Sequence, residues 1–310
     1  MNENMIVSVS PHIRSNDTTQ TIMRDVLIGL VPAVIVSVVF FGLRALLVEL
    51  FCVAVCVFCE WLFERGMKRP NTISDLSAAV TGLMLAMNLP VRIPLWQAAI
   101  GCVVAIIVVK QLFGGIGHNF ANPALTARIV MFLAFSSTMA TWTAPNFVDA
   151  VSSATPLEIL KTGSAEGLNL LHLFLGAAGG SLGETSTVAL LAGGLYMMFR
   201  KVISWHIPVT YIGTVFLLSL LKGGFTFAVA EIFAGSLFLC AFFMATDYVT
   251  SPHTNKGRLM YAFGCGLLTC LIRFYGSYPE GASFAVLLMN ILTPYINRWS
   301  MTKPFGGVKA

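Results

Sequence analysis

The chain reads as an all-α integral membrane protein of about ten transmembrane helices, arranged as two inverted five-helix halves, and three observations carry that reading. Hydrophobic residues make up 56% of the 310 positions and charged residues only 11%, against roughly 25% charged in an ordinary soluble domain. Mean hydropathy is +0.80. The apolar residues also fall in runs, and the first two, residues 26–43 and 46–63, hold about 18 residues each, enough to cross a hydrocarbon core of roughly 30 Å. The bilayer is therefore the solvent for most of this chain.

The elements follow in order. Residues 1–23 are polar, with Ser10, Pro11, Arg14, Ser15 and Asn16 and no apolar stretch, a pattern unlike a cleaved signal peptide; this tail is expected to stay where it is synthesised. The second apolar run ends in Glu64-Arg65-Gly66-Met67-Lys68-Arg69-Pro70. Runs at 76–89, 95–113 and 129–142 come next, the first and third short enough to need partial shielding by protein. A polar interval, 143–167, reads as an exposed loop. Beyond it, 168–199 is broken by Gly179-Gly180-Ser181-Leu182-Gly183-Glu184, and the remaining runs are 207–221, 225–246, 259–272 and 282–296. The organisation is a tail (1–23), a first half (24–142), a loop (143–167), a second half (168–298) and a tail (299–310).

Threading ten crossings from a cytoplasmic N-terminus places fourteen of the 19 basic residues on the cytoplasmic side. Only Arg44, Arg92, Lys161, Lys222 and Arg273 fall outside, as the positive-inside bias requires. Both termini are then cytoplasmic and loop 143–167 faces outward. Five helices on each side of that loop give halves of opposite orientation. Asp75-Leu76-Ser77 and Glu184-Thr185-Ser186 open two of the runs similarly, and Asn122-Pro123 and Ser251-Pro252 each precede a helix with an arginine near its start.

The net charge of +5 is scattered between apolar runs, which argues against a nucleic-acid partner. All seven cysteines lie inside apolar runs and read as small core residues. Cys52, Cys56 and Cys59 share a helix, but no matching set elsewhere completes a cluster site, so no metal is expected. There is no phosphate-cradling glycine loop, HExxH, nucleophile elbow or dinucleotide fingerprint, and no catalytic residue is assigned.

Three polar stretches between helices bear on function. Gly114-Gly115-Ile116-Gly117-His118-Asn119-Phe120-Ala121-Asn122-Pro123-Ala124 reads either as a plain turn or as unwound backbone lining a ligand or ion path, tolerable at membrane depth only where protein or a cavity satisfies it. Met244-Ala245-Thr246-Asp247-Tyr248-Val249-Thr250-Ser251-Pro252-His253 offers an acid and hydroxyls, suited to a hard cation, a flavin edge or ordinary capping. Gly276-Ser277-Tyr278-Pro279-Glu280-Gly281 reads first as a tight turn. Gly114, Gly115, Asn122, Asp247 and Thr250 are the candidates for a flavin pocket or ion path. Glu49 and Glu231 are buried acids, costly in a bilayer, open to relief by snorkelling or to use in an ion relay.

The outward loop contains Asp149-Ala150-Val151-Ser152-Ser153-Ala154-Thr155-Pro156-Leu157. This resembles the Asp-x-x-Ser-Gly-Ala-Thr signal at which a flavin transferase esterifies FMN to threonine. Together with the GGIGHNFANPA, ATDYVTSP and SYPEG stretches, the sequence resembles the D subunits of Rnf complexes, the ion-translocating ferredoxin:NAD oxidoreductases, over nearly its whole length. The usual glycine is replaced by Ser153. The related B subunits of sodium-translocating NADH:quinone reductases share the architecture but usually carry a longer N-terminal region.

The resemblance implies covalent FMN as a phosphoester on Thr155, with Ser152, Ser153 and Ala154 completing the attachment motif, and a second, noncovalent flavin, riboflavin, at a position the sequence does not locate. It implies one electron carrier within a redox-driven sodium or proton translocase in the bacterial cytoplasmic membrane, not a complete enzyme alone. Partners would be the other Rnf subunits, the flavin transferase during maturation and the lipid bilayer. Two rival readings stand beside it: a small-solute channel or transporter, which has no reason to present the SSATP motif outward, and a purely structural membrane subunit.

Overall fold

The structure, a computed structural model, describes residues 17–143, 155–161, 168–176, 179–184, 186–276, 278 and 280–301. Among these residues the one β contact is an antiparallel bridge between Thr143 and Gly180; the rest is helix and turn. The first group of helices is α1 (Thr19–Phe41), α2 (Leu43–Gly66), α3 (Ser77–Met87), α4 (Leu95–Val103), which continues as a π-helix over Val104–Gln111, and α5 (Pro123–Ala134). Short helices α6 (Ser136–Met139), α7 (Pro156–Lys161) and α8 (Leu170–Leu175) lead to α9 (Thr187–Phe199) and α10 (His206–Phe233). Then α11 (Leu237–Leu239) runs into a second π-helix, Cys240–Met244, followed by α12 (Asn255–Tyr275) and α13 (Ala282–Ser300).

Local chemistry places the helix starts. The Thr18 hydroxyl accepts from Thr21 N at 3.2 Å while Thr18 N donates to Thr21 Oγ1 at 2.9 Å, a reciprocal cap on α1. Asn122 Oδ1 accepts from Leu125 N at 3.2 Å, and Pro123 sits at the first helical position of α5, where its missing N–H costs nothing. The run expected at 129–142 is therefore shifted: its helix begins at Pro123 and stops at Ala134.

The helices show the inverted pattern of a chain solvated by lipid. On α1 the exposed face is Ile28, Val31, Ile35 and Val39, while Asp25, Gly29, Leu30, Ala33 and Ser37 face inward. Four helices, α1, α2, α10 and α12, are each long and apolar enough to cross a membrane, and α3, α4 with its π extension, α5 and α9 are shorter apolar helices. Taken straight, α10 would measure about 42 Å at 1.5 Å per residue. It is not straight: Gly224 has φ 81° and ψ −174°, a conformation that glycine alone adopts readily. The turn expected near 222–224 is present: Gly224 reverses the chain between two helical segments, so that the Phe225 ring returns to within 6.1 Å of Phe216, and Lys222 and Glu231 both meet the Arg273–Phe274 end of α12.

Close helix crossings depend on small residues. At the α1–α9 crossing, a Cβ added to Gly193 would collide with the Gly29 carbonyl oxygen and lie 3.1 Å from Phe243. Gly193→Ala is expected to force α1 and α9 apart and cost about 1–3 kcal/mol. The check is the thermal midpoint of the purified protein in detergent; an unchanged midpoint would show that the crossing yields without cost.

Candidate functional site

Two recesses open at opposite ends of the helices. At the end where α1, α3 and α5 begin and α9 finishes lies a cavity of about 340 Å³, within the roughly 300–1,000 Å³ of small-molecule sites. Val26, Val80, Met84, Ala124 and Phe243 give it apolar walls. Ser77, Thr81, Lys110, Asn119, Asn122 and Asp247 supply its polar groups.

Those groups arrive by distinct routes. The first π-helix carries Lys110 inward, where Nζ donates to Glu60 Oε1 and Ser77 Oγ, both at 2.6 Å; Gln111 Nε2 donates to the same Glu60 oxygen at 2.7 Å. The second π-helix delivers Asp247, whose Oδ2 accepts from Thr250 Oγ1 at 3.1 Å. Burial holds the Asp247 carboxyl above its ordinary range, opposed by the Thr250 hydroxyl and the Val249 backbone. Asn119 Oδ1 is buried with no hydrogen-bond partner among the described residues. A cavity with apolar walls, an unpartnered acceptor, an amide and a half-buried acid suits a flat, largely uncharged ring system with a polar edge.

The second recess is a cleft of about 40 Å³ at the opposite end, lined by Trp142, Thr155, Leu157, Phe233, Glu184 and Glu280 among others. Thr155 stands immediately before α7. Its Oγ1 accepts from Glu158 N at 3.3 Å and its own N donates to Glu158 Oε2 at 3.1 Å, a second capping box. The threonine is thereby held beside an aromatic and aliphatic lining, in a recess too small to enclose a ring system, so a group attached at its oxygen would extend beyond the cleft.

Near the cleft the backbone breaks inside the protein, and side chains satisfy it. Gly235, with φ 77°, separates α10 from α11. Arg273 covers the break, donating to the carbonyls of Glu231 (2.6 Å) and Ala234 (3.0 Å) and to Glu231 Oε2 (2.8 Å). The ends of α3 and α9 meet likewise: Gly183 N donates to Met87 O at 2.7 Å and Leu182 N to Leu89 O at 3.2 Å. Arg128, on α5, donates to Asn88 Oδ1 (2.7 Å), Ser283 Oγ (2.8 Å) and Glu280, and Ser236 donates to Glu280 as well.

Several sequence expectations change here. Arg128, assigned to the cytoplasmic side by the charge count, is 4% exposed and is held from α3 and the residues at the start of α13. Glu231 is neither snorkelling nor open to solvent, because Arg273 neutralises it. Glu49 is buried with one oxygen bonded to Ser37 and the other without a partner among the described residues. Asn122 and Asp247 do come together in the larger cavity; Thr250 stands behind Asp247, with its carbonyl accepting from Thr293 Oγ1 at 2.8 Å. Gly114 and Gly115 turn the chain with φ 122° and 94° between Lys110 and Ile116 of the cavity lining and are not themselves part of it. Ser152, Ser153 and Ala154 lie outside the described residues. The acid and arginine that sequence reasoning missed are Glu280, in what read as a tight turn, and Arg128.

Removing one member of a buried pair should be far worse than removing both. Arg273→Gln is expected to destabilise by about 3–5 kcal/mol, whereas Arg273→Gln with Glu231→Gln recovers most of the loss. Thermal midpoints of the single and double variants check this; equal losses would show that the carbonyl contacts of Arg273, rather than its charge, carry the effect.

Interrupted helices, cavities at both ends and buried ion pairs define a polytopic membrane protein built around internal sites. Comparison with known sequences then gives the family. Residues 6–306 match the NQR2, RnfD, RnfE family, and the chain belongs to it. It is 45% identical to the D subunit of the Na(+)-translocating ferredoxin:NAD(+) oxidoreductase complex of Acetobacterium woodii, covering 100% of this chain and 98% of that protein. It is 42% identical to the D subunit of the proton-translocating ferredoxin:NAD(+) oxidoreductase complex of Clostridium ljungdahlii (97% and 96%). It is 36% identical to the D subunit of the ion-translocating oxidoreductase complex of Halorhodospira halophila (96% and 94%). These relatives are subunits of redox-driven ion-translocating complexes.

Proposed function

We propose that this chain is the D subunit of an ion-translocating ferredoxin:NAD oxidoreductase complex and that it carries FMN as a phosphoester on Thr155. The observation that carries the reading is Thr155 itself. It combines a sequence resembling a flavin-transferase signal with a hydroxyl fixed beside Trp142, Leu157 and Phe233. A bound flavin would supply exchange of electrons one or two at a time. The residues of the chain would anchor its phosphate at Thr155 and pack its ring against apolar helix ends. Glu158, which now caps Thr155, would have to turn its carboxylate away from the phosphate.

In this reading the chain crosses the bacterial cytoplasmic membrane ten times, with both termini cytoplasmic. The chain reversal at Gly224 supports the count, since it separates one crossing, 206–223, from the next, which starts at 225 and continues through α11 and the second π-helix. Five crossings then precede the Thr155 loop and five come after it. The cavity of Asn122 and Asp247 lies at the cytoplasmic end and is the candidate site for noncovalent riboflavin. Partners are the remaining subunits of the complex and, during maturation, a flavin transferase. The relatives named for sodium and for protons are 45% and 42% identical to this chain, so overall likeness favours neither ion.

Mass spectrometry of the peptide spanning 143–167, from protein made alongside the flavin transferase, is expected to show FMN phosphoester mass on Thr155. Thr155→Val should insert into the membrane yet lose flavin fluorescence in a denaturing gel. Retained fluorescence in that variant would refute the attachment site. For the larger cavity, the raised Asp247 pKa sets a sign. A carboxylate accepting from a ring N–H loses that bond on protonation, so retention of the extractable flavin should fall as pH drops through the Asp247 pKa, at a higher pH than an ordinary aspartate would give. Asp247→Asn should flatten this dependence, measured as flavin released on washing across a pH series; an identical pH profile would place the ring elsewhere.

A further inference from the structure

A third recess, of about 390 Å³, lies at the end where α10 and α12 begin. It adjoins the larger cavity, and Thr246 and Tyr248 line both. The two helices run side by side in the same direction: Arg258 Nη1 donates to Ser204 Oγ just before α10, Tyr211 meets Thr269 further along, and Lys222 lies over the Phe274 ring. Both are long and apolar enough to cross a membrane, so the recess where they start sits at a membrane boundary. Trp205 stands exposed in its lining, and tryptophan is enriched at that level of a bilayer. Below it, Val209 on α10 and Met260 on α12 present exposed apolar surface to the lipid.

Two cations line this recess, Lys201 and Arg258, and neither is in an ion pair among the described residues. Arg258 is tied back by neutral groups, with Nε donating to Pro252 O at 3.2 Å and Nη1 to Ser204 Oγ at 3.3 Å. Lys201 closes the end of α9: Val202 N donates to Met197 O at 2.9 Å and Lys201 N to Met198 O at 3.0 Å, a Schellman turn. Its φ is 58°, a conformation that glycine adopts more readily, so a lysine is kept here against the preference of the backbone. Of the nearby acids, Asp25 is held by Arg200 at 3.1 Å, Asp247 lines the larger cavity instead, and Asp17 lies near Arg200 and Tyr248. Ser204 and Ser251 add hydroxyls to the lining.

A guanidinium, an ammonium and hydroxyls around one recess suit a phosphate, and a basic recess between membrane helices suits an anionic headgroup. A zwitterionic lipid would bring its own ammonium against the same two cations. We propose that this recess binds the phosphate of an anionic membrane phospholipid through Lys201 and Arg258, with the acyl chains lying on the exposed apolar surfaces of α10 and α12. This goes beyond the redox reading and needs neither flavin site.

The test uses the whole complex in vesicles of equal phosphatidylcholine and phosphatidylglycerol, with Trp205 replaced by photoreactive benzoylphenylalanine. After illumination, mass spectrometry of the peptide containing position 205 counts the adducts of each lipid. A preference for phosphatidylglycerol of about thirtyfold is expected from two cations near a membrane surface. Lys201→Gly should reduce it about fivefold, and Lys201→Gly with Arg258→Gln should bring it to the vesicle ratio, while Arg258→Lys, which keeps the charge, stays near the parent. Lys201→Gly also relieves the left-handed backbone, so it reads the site without unsettling the turn and decides the matter if Arg258→Gln does not assemble. Adducts at the vesicle ratio in the parent, an unchanged preference in Lys201→Gly, or an adduct to a neighbouring subunit in place of lipid would each overturn the proposal. Inorganic phosphate, compared with chloride at equal ionic strength, should leave the preference intact; if it abolishes the preference, the recess reads free phosphate and the lipid assignment fails.

Discussion

The guanidinium of Arg128 organises the interior of this protein because its charge has nowhere else to go. A buried arginine must be both neutralised and hydrogen-bonded, and the partners come from separate parts of the chain: Asn88 at the end of α3, Glu280 before α13 and Ser283 within it. Those contacts fix the end of α3 and the start of α13 relative to α5. Arg273 acts similarly nearby, covering the carbonyls exposed where α10 gives way to α11. Interrupted helices at membrane depth persist only when such groups satisfy the freed backbone, and the interruptions in turn make room for the recesses.

Much of the fold was legible in the sequence because lipid solvation leaves a coarse mark. Long apolar runs such as those of α1 and α2 need no tertiary information. The Asn122-Pro123 start of α5 was legible too, since a helix cap is local chemistry. Arg128 was misplaced because counting basic residues assumes that each sits at a membrane surface. Glu280 was passed over because a Tyr-Pro-Glu-Gly turn looks the same whether its acid meets water or a buried arginine. Partners such as Glu231 and Arg273 lie 42 positions apart, a separation at which sequence alone gives no geometry.

The two recesses differ in the way their proposed occupants require. The cavity of Asn122 and Asp247 is enclosed by several helix ends and can hold a molecule by shape and a few polar contacts. The cleft beside Thr155 is much smaller, 40 against 340 Å³, and would retain little without a covalent bond. A tether at Thr155 and enclosure around Asn122 and Asp247, as proposed, would each suit the size of its recess.

The two π-helices, Val104–Gln111 and Cys240–Met244, constrain how this chain can be inherited. A π segment is a widened turn containing one residue beyond the α-helical count, and each lies just before a loop that enters the larger cavity. Losing one residue from either would restore α geometry and rotate the downstream chain by about 100°, swinging Lys110 from Glu60 or Met244 from Asn88. Substitutions within these segments can drift, but their length cannot, so this lineage should tolerate changes of letter there far better than changes of spacing.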